Sequence, residues 1–132
     1  GKACELAQNE YEEEARENQV IKNEILDLLN SEGVLYELNG DPEYCVDNTL
    51  NICFEGISSE ALMLSAKQYC AISNGSACTS KSYDPSYVLI AMGIPVDRIE
   101  SSVRISWGPG SNKDDIINNL KKMLCVAKRL AN

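Results

Sequence analysis

Cys78 stands in the run Asn74-Gly75-Ser76-Ala77-Cys78-Thr79-Ser80-Lys81-Ser82-Tyr83. Its neighbours are small or hydroxylated, so the reading expects a mobile backbone and an accessible thiol. That arrangement suits a nucleophile that must reach more than one place. The bland alternative is a merely exposed cysteine. The chain has no histidine, so neither a Cys-His nor a Ser-His pair can be built from it. If Cys78 is a nucleophile, a cation, a helix terminus, a cofactor or another part of the protein must activate it. Lys81, three positions on, is the obvious local cation. Arg104 is the second chemically notable residue. It sits between Val103 and Ile105, on the polar side of an alternating stretch shared with Ser106. A guanidinium there could fork onto a carboxylate through two parallel hydrogen bonds. The alternative is a surface arginine on a half-exposed strand.

The other five cysteines are Cys4, Cys45, Cys53, Cys70 and Cys125. No C-x-x-C pair occurs, and without histidine a zinc site is not expected. Disulfides belong to a secreted context, for which no signal pattern appears. Cys4, Cys53, Cys70 and Cys125 lie in apolar-periodic stretches and are expected to be buried, inert thiols. The chain has 132 residues, one ordinary domain, and is 44% hydrophobic, enough for a core. Twenty acidic against 12 basic residues give a net charge of -8 with no long basic stripe, which argues against direct nucleic-acid binding. No apolar run approaches the roughly 18 residues of a membrane span. The expectation is a soluble, cytoplasmic protein without a membrane partner.

The elements that must position Cys78 and Arg104 follow from periodicity and turn chemistry. Residues 1 to 31 read as one long helix, with Leu6, Ala7, Tyr11, Ala15, Asn18, Ile21, Ile25 and Leu28 at three- and four-residue steps. It lacks an N-cap, so Gly1 reads as a cut inside a longer chain. A strand is expected over Val34 to Leu38, then the Asn39 to Glu43 turn, then a strand over Thr49 to Phe54. Ser58 caps a helix from Ser59 to about Tyr69. Cys70 to Ser73 is a short strand candidate. Asp84 as N-cap and Pro85 as first residue start a helix that ends at Gly93. A short helix over Val96 to Ser101 and a strand over Val103 to Trp107 come next. Ser111 or Asn112 caps the last helix, whose core stripe is Ile116, Leu120, Met123, Ala127 and Leu130. The order predicts an α+β domain: a small, mostly antiparallel sheet of three to four strands packed against helices.

The block "SNGSACTS", the "YDPSYVLIAMG" that follows it and the later "SSVRISWG" resemble the C-terminal part of cysteine desulfurases of the NifS/IscS type. "GKACELA", "LNGDPE" and "NTLNICFEGISSEALM" follow the same family's flow, so the resemblance covers essentially the whole chain. These are pyridoxal-phosphate enzymes of the class V aminotransferase group, with a fold-type I architecture. Among them, the chain is similar to the group with a long mobile cysteine loop.

The resemblance implies that cysteine is converted to alanine, with pyridoxal phosphate as electron sink. The thiolate matching Cys78 takes the sulfur as a persulfide and delivers it to an acceptor protein, for iron-sulfur cluster assembly, thiolation or a related pathway. Arg104 matches the arginine that grips the substrate α-carboxylate. It implies a single small domain over 1-132, with residues 1 to 31 the helix that joins two domains, and a homodimer formed by the full-length enzyme. The family's pyridoxal-bearing lysine lies in a Ser-x-His-Lys setting of a large domain, and this chain has no histidine. Lys67 and Lys81 match neither its context nor its position. The chain alone is therefore expected to bind no cofactor firmly and to be inactive. Asn74 stands where serine is usual, and "GPGSN" replaces a segment that often carries another arginine. A second reading, a pyridoxal-free sulfur-relay or acceptor-docking module, rests on the same missing histidine and lysine motif. A third, a redox-sensing thiol protein, would need a resolving partner for Cys78.

Overall fold

The computed structural model describes residues 1–75 and 85–131. Eight elements occur among them: α1 (Lys2–Glu32), β1 (Tyr36–Leu38), β2 (Thr49–Phe54), α2 (Ser59–Ala66), α3 (Tyr87–Ala91), α4 (Val96–Glu100), β3 (Ser102–Ser106) and α5 (Lys113–Leu130). The strands form one antiparallel sheet in the order β1-β2-β3, the expected α+β arrangement.

The alternation of β2 and β3 gives that sheet two unlike faces. Leu50, Ile52 and Phe54 of β2, with Val103 and Ile105 of β3, point to one side and are buried. Against them pack Ile21, Ile25, Leu28 and Leu29 of α1, Leu62 and Ala66 of α2, and Leu120, Met123, Leu124 and Ala127 of α5. Burying side chains of this size contributes on the order of 1.5–3 kcal/mol each. The opposite side carries Thr49, Asn51 and Cys53 across from Ser106, Arg104 and Ser102.

The long helix departs from expectation in its first half. Leu6 and Tyr11 are exposed, while burial begins at Ile21. The cause is length. α5 has 18 residues against 31 in α1, and it starts beside Glu24, where Lys113 pairs. The helix before Ile21 runs past the end of its partner. Gly33 ends it with φ 66°, a left-handed C-cap that glycine adopts without strain.

Several boundaries also moved. β1 starts at Tyr36 because Val34 and Leu35 lead the chain off that cap. Cys70 to Ser73 forms no strand; only Ser73 comes alongside β3, in a single bridge to Arg104. α3 begins at Tyr87 because the Ser86 hydroxyl accepts from the Leu89 N–H; Pro85 precedes the helix, and Asp84 lies outside the described residues. In α5, Leu120, Met123 and Ala127 are buried as expected, joined by Leu124 and Val126. Leu130 is exposed, one turn past the sheet's cover. Of the four cysteines expected to be buried, only Cys53 is. Cys4 lies on the uncovered half of α1, Cys125 on the outer face of α5, and Cys70 is half-buried.

Candidate active-site surface

Two arginines serve the polar face, and they are used differently. Arg98, in α4, donates from Nε to Asn39 Oδ1 at 2.7 Å and from Nη2 to the Leu38 carbonyl at 2.9 Å. It also pairs with Glu37. Asn39 donates onward to Asn51 Oδ1 at 2.8 Å and Ser102 Oγ at 2.7 Å, and Ser102 donates to the Arg98 carbonyl at 2.7 Å. This closed network covers one end of the face. Cys53 is buried beside it, and burial pushes its thiol above the ordinary value despite the nearby Arg98 and Ser102. Cys70 is likewise pushed up by burial. Both are poor nucleophiles, as expected.

Arg104 is the other arginine. It lies opposite Asn51 in the register, between Ser102 and Ser106 on the same face. It is exposed, and its side chain has no hydrogen bond or ion pair among the described residues. Thr49 and Ser106 hydroxyls meet at 3.2 Å beside it. The guanidinium thus stands on a paired strand, with its donors unengaged among the described residues.

The chain that leads towards Cys78 is fastened to this strand. Ser73 donates its N–H to the Arg104 carbonyl at 3.1 Å and accepts the Arg104 N–H in return. Asn74 Nδ2 donates to Ser59 Oγ at 3.2 Å, where Ser59 is buried at the start of α2. Ser73 Oγ closes a tight turn by donating to the Gly75 carbonyl at 2.9 Å. Cys78 and Lys81 lie outside the described residues. Sequence reasoning missed Arg98, Asn39 and the anchoring role of Asn74. No pattern along the chain pairs residues 59 positions apart, as Arg98 and Asn39 are.

No family model matches the chain. It is 40% identical over 130 residues to the putative cysteine desulfurase IscS 1 of Bacillus subtilis (strain 168), covering 97% of this chain and 34% of that protein. It is 33% identical over 130 residues to a cysteine desulfurase of Rattus norvegicus, covering 98% of this chain and 29% of that one. The chain resembles NifS/IscS-type cysteine desulfurases. It corresponds to a C-terminal part of such enzymes, and it spans about a third of the length of the curated relatives it matches. Among solved structures, a NifS-like protein superposes with a TM-score of 0.80 at 22% identity, over 98% of this chain and 32% of that one, which shows the shared fold. DndA from Streptomyces lividans is 28% identical with a TM-score of 0.59, over 83% of this chain and 30% of that one.

Enzymes of this family use pyridoxal phosphate, whose aldehyde needs a lysine amine in its neutral form. The described residues do not fit that requirement. Lys22 is the buried lysine, but its Nζ is engaged by the Pro42 carbonyl, Cys45 Sγ and Asp47 Oδ1. Burial works against its charge, yet the bonds and charges of Cys45 and Asp47 win and hold its pKa above the ordinary 10.5. Lys113 and Lys128 are paired with Glu24 and Glu32. Lys67 is exposed at the C-cap of α2. What the described residues offer is an exposed guanidinium at Arg104 and a segment, Ser73 to Gly75, fastened beside it.

Proposed function

We propose that the chain is the small domain of a desulfurase that converts L-cysteine to L-alanine and passes the sulfur, as a persulfide on Cys78, to an acceptor protein. Arg104 holds the substrate α-carboxylate through its paired N–H donors. The pyridoxal phosphate, its lysine and the main dimer contact belong to a large domain beyond this chain. The site of action is the cytoplasm, and the acceptor serves iron-sulfur assembly, thiolation or a related pathway. The chain by itself does not turn over cysteine.

The observation that supports this reading is the Ser73–Arg104 bridge. It joins a guanidinium unengaged among the described residues to the segment that leads to the candidate nucleophile. Cys78 follows Ser73 by five positions. That length of chain reaches at most about 18 Å, so carboxylate grip and thiol are tethered to one neighbourhood.

The test starts from the source protein. Its intact mass should lie far above the 14.5 kDa of this chain, and it should carry a yellow cofactor band. Incubated with cysteine, it should release alanine and leave a sulfur-labelled Cys78. Cys78→Ser should abolish the label. Persulfide that persists on another cysteine of that variant, with alanine still released, overturns the assignment.

A further inference from the structure

A second thiol stands apart from the polar face, at the turn between β1 and β2. Cys45 Sγ lies 3.0 Å from Lys22 Nζ, across 23 residues of sequence. Lys22 is 6% exposed, and the same Nζ donates to the Pro42 carbonyl at 3.2 Å and meets Asp47 Oδ1 at 3.4 Å. Cys45 is half-buried, and its thiol also donates to the Pro42 carbonyl at 3.3 Å. It lines a cleft of about 30 Å³ together with Leu38, Asp41 and Thr49. Such a volume admits one or two small polar molecules.

We propose that Cys45 and Lys22 form an oxidation-driven covalent bridge, a modification site whose co-substrate is a small peroxide. Three features converge on it. The sulfur and nitrogen are already in contact, so closure needs no search through the unbridged chain. The cleft gives a peroxide access to a thiol that the core does not seal. The three acceptors fix the amine against Sγ, whereas an exposed lysine would sample many positions.

The chemistry balances with one oxidant. The sulfur of Cys45 attacks one peroxide oxygen, the O–O bond breaks, and the departing hydroxide takes the thiol proton and leaves as water. Cys45 is then a sulfenic acid, which nitrogen nucleophiles can trap. Once Cys45 is a neutral sulfenic acid, its bond and charge no longer favour the Lys22 ammonium, while burial still works against that charge. Lys22 then gives up one proton to solvent through Asp47, and its lone pair attacks Sγ. An S–N bond forms, the S–O bond breaks, and the hydroxide leaves as a second water with another amine proton. One thiol, one ammonium and one hydrogen peroxide become one sulfenamide, two waters and one proton. Two equivalents of an added thiol restore both side chains and leave as a disulfide. The bridge ties the β1–β2 turn to α1 and closes a 23-residue loop, so it should stabilise the fold reversibly.

The experiment treats the protein, in a Cys78→Ser background that removes a competing reactive thiol, with hydrogen peroxide at low excess. Tryptic digestion and mass spectrometry follow. The expected product is one tryptic peptide spanning residues 17–67, uncleaved after Lys22 and bridged internally to Cys45, lighter by two hydrogens than the same uncleaved peptide without the bridge. It should disappear on adding dithiothreitol and be absent from Cys45→Ser. The thermal midpoint of the oxidised protein should rise and fall back on reduction. Cleavage after Lys22 undiminished by oxidation, with Cys45 carrying only added oxygen or a disulfide, overturns the proposal. That readout comes from the protein with both residues intact, so it stands even if a Lys22 variant fails to fold.

Discussion

Arg98 and Arg104 serve one face of one sheet, yet the molecule uses them in opposite ways. Arg98 is enclosed by Glu37, Asn39 and the Leu38 carbonyl, and it holds the edge of β1 against α4. Arg104 stands two register positions from Ser102 with its donors unengaged among the described residues. A guanidinium tied by three partners is part of the structure. One left exposed between a Ser hydroxyl row and the Ser73 bridge, without a partner among the described residues, is the one we propose grips the substrate. The difference also shows two ways the face is held. Its closed end is held by a satisfied network, and its open end is held by backbone pairing, which side-chain changes do not touch.

The comparison can be broken most sharply at Arg104. In the cysteine-consuming protein, Arg104→Ala should raise KM for cysteine by about 10- to 100-fold, the loss of a charge-assisted, two-bond grip worth roughly 1.5–3 kcal/mol. Arg104→Lys should recover only part of it, because an ammonium cannot fork onto a carboxylate. The folded stability of either variant should stay within about 0.5 kcal/mol of the parent. A large loss of stability with unchanged KM would make Arg104 a second Arg98.

Arg98→Met should do the reverse. It leaves Asn39 Oδ1 and the Leu38 carbonyl short of a donor, at a cost of about 2 kcal/mol by urea titration. The pair with Glu37 adds little, because Glu37 is half exposed. Asn74→Ala comes next. It removes the partner of the buried Ser59 hydroxyl and should cost about 1 kcal/mol, with a faster amide exchange at Gly75.

What was legible in the sequence follows the same division. β2 was read with correct ends because its alternation and flanking turns are local signals, and Arg104 was placed on the polar side by that alternation. The family resemblance rested on contiguous blocks, and the relatives bear it out. The burial of α1 was not legible beyond its period. A helix can be amphipathic over 31 residues while its partner covers only the last third, and only tertiary placement decides where cover ends. Ile21 and Ile25 are buried under this domain's own α5 and sheet, while Tyr11, on the same period, is exposed. Cys4 was misread for the same reason, and Cys125 because it lies off the core stripe of α5, on its outer face. The Arg98 network and the Lys22–Cys45 contact are meetings of residues far apart in sequence, and periodicity carries no information about them.

The smallest effect lies on the other side of the sheet, where α1 meets α5. Lys128 donates to Glu32 at 2.6 Å. That hydrogen bond, with the accompanying charge attraction and a lesser one from Lys121, holds the Glu32 carboxyl below its ordinary 4.5 against a small opposing effect of burial. A carboxyl depressed in the folded state binds its proton more weakly there than in the unfolded chain. Its stabilisation is therefore present above the unfolded value and is lost as pH falls through the folded one. Lys113, raised by its bond to Glu24, behaves oppositely, its stabilisation present below 10.5 and lost as pH rises through its folded value. Both pairs are open to solvent, so both effects are screened by salt. The urea midpoint of Glu32→Gln should lie slightly below that of the parent near neutrality. The gap should narrow on acidification below the usual carboxylate range, and also at high salt. A gap that stays constant across that acid window would mean the contact contributes by packing and not by charge, and the seam would then resemble the apolar core it borders.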